Sequence, residues 1–121
     1  MTPANDKPGG YVYVASPYTH ANPAMRELRF LKVAQCCAMM LEEGNVVYSP
    51  IVHWHEIAKV FGMPKEHHFW LLADSIMLTG SREVSVLMLE GWEESAGVQR
   101  EIKFAKLIGK PLTYLHDTWK P

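Results

Sequence analysis

A chain of 121 residues, 48% of them apolar, with a net charge of −1 and a pI near 6.6, has the make-up of a single globular domain. At that length a domain buries about two thirds of its unfolded surface, and the near-neutral balance without a basic stripe argues against a nucleic-acid polymer as partner, although one phosphate can still be held by a helix N-terminus. No apolar run approaches the ~18 residues of a membrane span, and the first ten residues lack the apolar centre of a secretory leader, so a cytoplasmic protein is expected.

Residues 1–10 (MTPANDKPGG) are polar and broken by Pro and Gly, which predicts a flexible tail ahead of one domain over 11–121. Residues 11–15 read as a strand, and Ser16-Pro17-Tyr18-Thr19-His20 as the loop after it. Asn22 then caps a helix with Pro23 at its first position. Phe30, Val33, Ala34, Cys37, Met40 and Leu41 form its apolar face, and Gly44 ends it. Cys36 and Cys37, the only cysteines, lie in this helix about 100° apart, so they read as reduced thiols rather than a disulfide. Residues 46–48 form a second short strand, stopped by Ser49-Pro50.

Residues 51–61 hold His53, Trp54 and His55 and a short helix ending near Gly62. Pro64 opens a longer helix, from Lys65 or Glu66 to Leu78, whose apolar residues Phe69, Leu72, Ala73, Ile76 and Met77 keep helical spacing. Asp74 falls beside that face, which predicts its partial burial. Residues 84–89 are short and β-branched enough for a buried parallel strand. A polar loop leads to Ser95, a good N-cap, after which Val98, Ile102, Ala105 and Ile108 repeat at helical spacing up to Gly109. Residues 112–115 form the last strand.

The order β-α-β-α-α-β-α-β, with right-handed crossovers, predicts an α/β fold. It is a Rossmann/flavodoxin-like three-layer sandwich around a four-stranded parallel sheet in order 2-1-3-4. The switch point falls between strands 1 and 3, where ligands bind in such sheets. It brings together the loop from Ser16 to His20 and the loop from Glu90 to Ser95, with Glu101 just below. Glu101 sits beside the Val98/Ile102/Ala105 face, under the space left by Gly97. Such a carboxylate can serve as nucleophile or base; the same spacing also fits an ordinary surface glutamate.

Other residues near this crevice carry weaker signals. His53 follows the second strand on the binding side and reads as a ligand contact. His53-x-His55 and His67-His68 lack the spacing of a zinc site, so no metal is expected. Trp92 either stacks on a ligand ring or lids the sheet end. Arg26, in a first helical turn where the macrodipole disfavours a cation, is either an anion contact or a solvated arginine. The chain holds no GxGxxG, Walker A or GxSxG, so dinucleotide, NTP and serine-hydrolase chemistry lack their parts, and no cofactor is expected.

Tyr13-Val14-Ala15-Ser16-Pro17-Tyr18, Tyr48-Ser49-Pro50, Asp74 and the block from Gly91 to Ile102 resemble the nucleoside 2-deoxyribosyltransferase superfamily. In particular they resemble a small, largely uncharacterised bacterial and phage branch related to deoxynucleoside 5′-monophosphate glycosidases. The likeness covers residues 11–115, and its most specific part is the Ser-x-Gly-x-x-x-Glu arrangement from Ser95 to Glu101. It implies that Glu101 attacks the anomeric carbon and that Asp74 holds or protonates the base. It further implies that Ser16 and Tyr18 contact the sugar. Ser95, with the amides of Gly97 and Val98, would then receive a 5′-phosphate.

The expected function is therefore an N-glycosidase or base transferase acting on a nucleoside 5′-monophosphate or nucleoside. A homodimer or higher oligomer is expected, since relatives complete their sites across subunits and Trp54, Trp70, Trp92 and Trp119 offer apolar surface. One departure is Arg82, where relatives carry an aspartate that the neighbouring Glu83 could partly replace. With the acidity of Glu90, Glu93 and Glu94, it keeps open a nucleotide-binding module without turnover. An NAD-type glycohydrolase is a third alternative.

Overall fold

Three of the helices begin where a polar side chain takes up an otherwise orphaned backbone N–H. Asn22 Oδ1 accepts from Ala24 at 2.9 Å, Ser49 Oγ from Val52 at 3.1 Å and Ser95 Oγ from Val98 at 3.2 Å. Pro23 and Pro50 occupy first helical positions, where a missing N–H is harmless. The computed structural model describes residues 9–64 and 67–118. Its elements are β1 (Val12–Ala15), α1 (Pro23–Glu42), β2 (Val47–Tyr48), α2 (Pro50–Phe61), α3 (His67–Thr79), β3 (Glu83–Met88), α4 (Ala96–Leu107) and β4 (Leu112–His116). Residues 1–8, Lys65 and Glu66 (the expected start of the third helix), Trp119 and the side chains of His67 and His68 lie outside the described residues.

The four strands form one parallel sheet in the order β2-β1-β3-β4, as the crossover rule predicts. Strand alternation sorts the core into two layers. Tyr13, Ala15, Val84 and Val86 pack with Leu78 of α3 and with Val98, Ile102 and Ala105 of α4. Val12, Val14, Leu87 and Leu89 pack with Val33 and Cys37 of α1 on the other face. Each fully buried Val or Leu contributes about 1.5–3 kcal/mol relative to an exposed one, so β1 and β3 anchor both layers. Among the described residues no helix is long and apolar enough to cross a membrane.

One helix is turned differently from its apolar spacing. Phe69, Leu72 and Ile76 of α3 are 47%, 75% and 60% exposed, while Asp74 and Leu78 are buried. Residues 74 and 78 share one face of a helix, and 72 and 76 the opposite one. With Leu78 in the core, the stripe through Asp74 turns inward, in keeping with the burial expected of Asp74; of the apolar set Met77 still packs against the core, while Phe69, Leu72 and Ile76 face out.

Candidate functional site

The sheet order reverses between β1 and β3, and a cleft of about 1230 Å³ opens at their carboxyl ends. The loop after β1 supplies Ser16 and Tyr18 to it, and the loop after β3 supplies Gly91, Glu94 and Ser95. Helices close the remaining sides, with Arg29 from α1, Trp54 and His55 from α2, Trp70 and Asp74 from α3, and Gly97 and Glu101 from α4. Trp54 and Trp70 stack on each other, 4.9 Å between ring centroids, and make an aromatic wall.

Glu101 is only 7% exposed, and its Oε2 accepts a hydrogen bond from the Tyr13 hydroxyl. Tyr13 reaches it because odd-numbered positions of β1 point toward the α4 side of the sheet. Burial pushes the Glu101 carboxyl up to about 8; the Tyr13 bond pulls it back, and the nearby Asp74 charge pushes it further up. Burial alone raises Asp74 to about 7. Tyr13 is held well above the usual phenol range by burial and by both carboxylates, so it remains a neutral donor. Asp74 Oδ1 and Ser16 Oγ are buried without a hydrogen-bond partner among the described residues. Both residues line the cleft, where a ligand can satisfy them.

Two carboxyl groups that resist ionisation in one cleft have distinct uses. When one proton is shared between them, the carboxylate can attack while the acid protonates a leaving group. With Glu101 at about 8 and Asp74 at about 7, a single shared proton rests mainly on Glu101. The Tyr13 bond opposes this by favouring charge on Glu101, and the pair is reactive in the minor form that carries the proton on Asp74.

The sequence-predicted residues divide. Ser16, Tyr18, Asp74, Ser95, Gly97 and Glu101 line the cleft together. Val98 does not: its side chain is in the core and its amide donates to Ser95 Oγ, so that amide is not open to a ligand. His53 is exposed and rests against Tyr48 and Trp54 rather than in the cleft. With α2 running from Pro50, positions 53 and 55 point about 200° apart, and His55 takes the inward place. Trp92 packs on the sheet core and on Tyr114, 5.9 Å between ring centroids, and leaves the cleft open.

Arg26 donates to the carbonyl of His20, and the guanidinium that lines the cleft belongs to Arg29. Arg29 is fixed by the carbonyls of Thr19 at 2.8 Å and Glu90 at 3.0 Å. Gly91 makes room for it: φ is +88°, and a Cβ there would lie 2.9 Å from Arg29 Nη2. Arg82 stands at the amino end of β3, away from the cleft, where it bonds Glu83 at 3.1 Å and Asn45 at 3.0 Å. Arg82 is thus at the amino end of the sheet, opposite the cleft.

Arg29, Trp54, Trp70 and His55 line the cleft, and Tyr13 acts on it from the core through Glu101, although the motifs did not single them out as site residues. For Tyr13 the signal was present in strand alternation; for the others it depended on the phase of α1, α2 and α3. Among the described residues, Glu27, His55 and Glu56 are close enough to share a metal ion. Lys59 lies 3.5 Å from Glu27 and 3.9 Å from Glu56 and already supplies the positive charge there. A family model described as "Domain of unknown function (DUF1937)" matches residues 10–117. No curated protein matches the chain.

Proposed function

The chain belongs to the DUF1937 family, and within it we propose that this protein is an N-glycosidase or base transferase using Glu101 as nucleophile. Its substrate is a nucleoside 5′-monophosphate or a nucleoside. One observation carries the reading: Glu101, held by Tyr13, and Asp74, with an unsatisfied oxygen, are both buried in the cleft at the sheet's switch point. The resemblance of this same set of residues to the nucleoside 2-deoxyribosyltransferase superfamily supports it.

In the first step a Glu101 oxygen bonds to C1′ as the C1′–N bond breaks through an oxocarbenium-like state. The electron pair leaves with the base, and Asp74 gives that base its proton. In the second step water, or another base, attacks C1′ and releases Glu101; a water proton returns to Asp74. Ser16 and Tyr18 lie where they can hold the sugar. The phosphate would sit by Ser95 and the Gly97 amide at the N-terminus of α4, with Arg29 and Lys103 on the same cleft. Glu94 lines the cleft too and opposes that charge.

The test is a chromatographic screen for base release from nucleosides and their 5′-monophosphates, wild type beside Glu101→Gln. Release by the wild type and none by the folded variant is expected. No release from any substrate, or an equally active variant, refutes the reading. The raised Glu101 favours one alternative, a module that binds a nucleotide without turnover, because a protonated carboxyl cannot attack. Tight binding without release in the same screen identifies it, and adding NAD to the panel tests an NAD-type glycohydrolase.

A homodimer or higher oligomer belongs to the same proposal. Its support is the outward stripe Phe69, Leu72 and Ile76 with exposed Leu107; Trp54, Trp70 and Trp92 are half-buried and contribute little. A cytoplasmic setting fits Cys36 and Cys37, which are free thiols.

A further inference from the structure

The cleft wall holds a second polar chain that the two-carboxylate chemistry does not use. Tyr18 Oη lies 2.7 Å from His55 Nδ1, and His55 Nε2 lies 3.1 Å from Glu27 Oε1. His55 is buried, with its ring stacked on Phe30 at 4.2 Å between centroids, and both His55 and Tyr18 line the cleft. The relay therefore runs from the surface of α1 to the cavity.

For a neutral His55, hydrogen-bond polarity along this chain has one consistent solution. A carboxylate only accepts, so a neutral His55 must carry its proton on Nε2, facing Glu27. Nδ1 is then an acceptor, and the Tyr18 phenol must donate to it. A phenol has a single proton. Once that proton is committed to His55, Tyr18 Oη offers only lone pairs to the cleft.

We propose that Glu27, through the His55 tautomer it fixes, makes Tyr18 a hydrogen-bond acceptor toward the cleft, so that Tyr18 selects a ligand hydroxyl and disfavours an oxyanion. Glu27 and His55 are positioning residues here, and Tyr18 is the specificity-determining one. The cleft is polarised as a result: donors at Ser95, Gly97 and Arg29, and an acceptor at Tyr18. The inference rests on the glycosidic reading in one respect only, the identification of that hydroxyl as one of the sugar's.

Nitrogen-15 NMR of the full chain, with His55→Gln to assign the ring, reads the tautomer without any ligand. His55 is expected to carry its proton on Nε2 in the wild type and in Glu27→Gln, which keeps an acceptor oxygen. In Glu27→Ala the Nδ1–H form should gain. A wild-type Nδ1–H ring, or a tautomer indifferent to Glu27→Ala, overturns the proposal.

The selection itself is read by calorimetric titration with adenosine 5′-monophosphate and its 2′-deoxy and 3′-deoxy forms, in a Glu101→Gln background to prevent turnover. Tyr18→Phe should weaken the parent nucleotide roughly fivefold to tenfold, while the form lacking the contacted hydroxyl is unaffected. Glu27→Ala should reproduce part of that loss and Glu27→Gln none. Equal losses for all three nucleotides, or no loss for any, refute hydroxyl selection. If none of the three binds, the nucleotide reading fails and hydroxyl selection with it, while the NMR result alone decides the tautomer.

Discussion

Replacing Tyr13 by Phe removes one oxygen from the centre of β1 and leaves the ring in place. The ring is fully buried and 5.9 Å from that of Tyr48, so the packing of the strand is retained. What is lost is the hydrogen bond from the phenol to Glu101 Oε2. A bond to an ionised group contributes about 1.5–3 kcal/mol, which corresponds to roughly one to two pH units in the affinity of that carboxyl for its proton. The Glu101 carboxyl, already lifted to about 8, moves further up.

If Glu101 is the nucleophile, its ionised fraction near pH 7 falls in the same proportion, and kcat/KM falls roughly 10- to 100-fold. The deficit should shrink at alkaline pH, where the carboxyl ionises regardless. The assay is kcat/KM for base release between pH 6 and 10, paired with a carbon-13 titration of the Glu101 carboxyl. The alkaline limb, set by the higher of the two values, should move up with Glu101 while the acid limb stays near 7. An alkaline limb that stays in place, or a loss equal at every pH, would show that Tyr13 acts on something other than the Glu101 charge.

The same pair of carboxyls predicts a narrow bell-shaped rate profile, rising near pH 7 and falling near 8, with both limbs belonging to the pair; a plateau from pH 5 to 9 contradicts it. Stability should follow the same groups: the folded Glu101 keeps its proton up to about 8 against 4.5 for an unperturbed glutamate. Its contribution is therefore complete below about 4.5 and lost as pH rises through 8, by at most about 1.4 kcal/mol per pH unit. Urea denaturation at pH 5 and 9 should show Glu101→Gln losing less than the wild type, and equal losses would remove burial as the cause. Ser95→Ala should cost about 1 kcal/mol of stability through the lost cap and lower the preference for a 5′-phosphate roughly tenfold; an unchanged ratio of kcat/KM with and without phosphate ends the phosphate assignment. Leu72→Lys with Ile76→Lys should turn an oligomer into a monomer in sedimentation, and a wild type that is already monomeric at micromolar concentration removes the assembly proposal.

The parts of this fold that were legible in the sequence are those governed by local rules. Asn22-Pro23, Ser49-Pro50 and Ser95 mark helix starts because a backbone N–H needs an acceptor whatever the tertiary context. The sheet order follows from handedness, and the convergence of Ser16 with Glu101 follows from the sheet order. What was not legible is helix phase. Arg29 rather than Arg26, and His55 rather than His53, differ by a rotation along the helix, and only packing against a neighbour settles such a rotation.

The clearest case is α3, where the expected burial of Asp74 is observed but the exposure of Leu72 and Ile76 was not legible. Leu72 and Ile76 make the better hydrophobic stripe, yet Asp74 and Leu78 are inside. Burying an aspartate without a partner for Oδ1 costs stability, and so does leaving a leucine three-quarters exposed. Both penalties disappear in the proposed working state, in which a bound base satisfies Asp74 and a second subunit covers Leu72. On that proposal, an apolar-in rule applied to α3 fails in the isolated chain because the helix would be suited to a ligand on one side and a second subunit on the other.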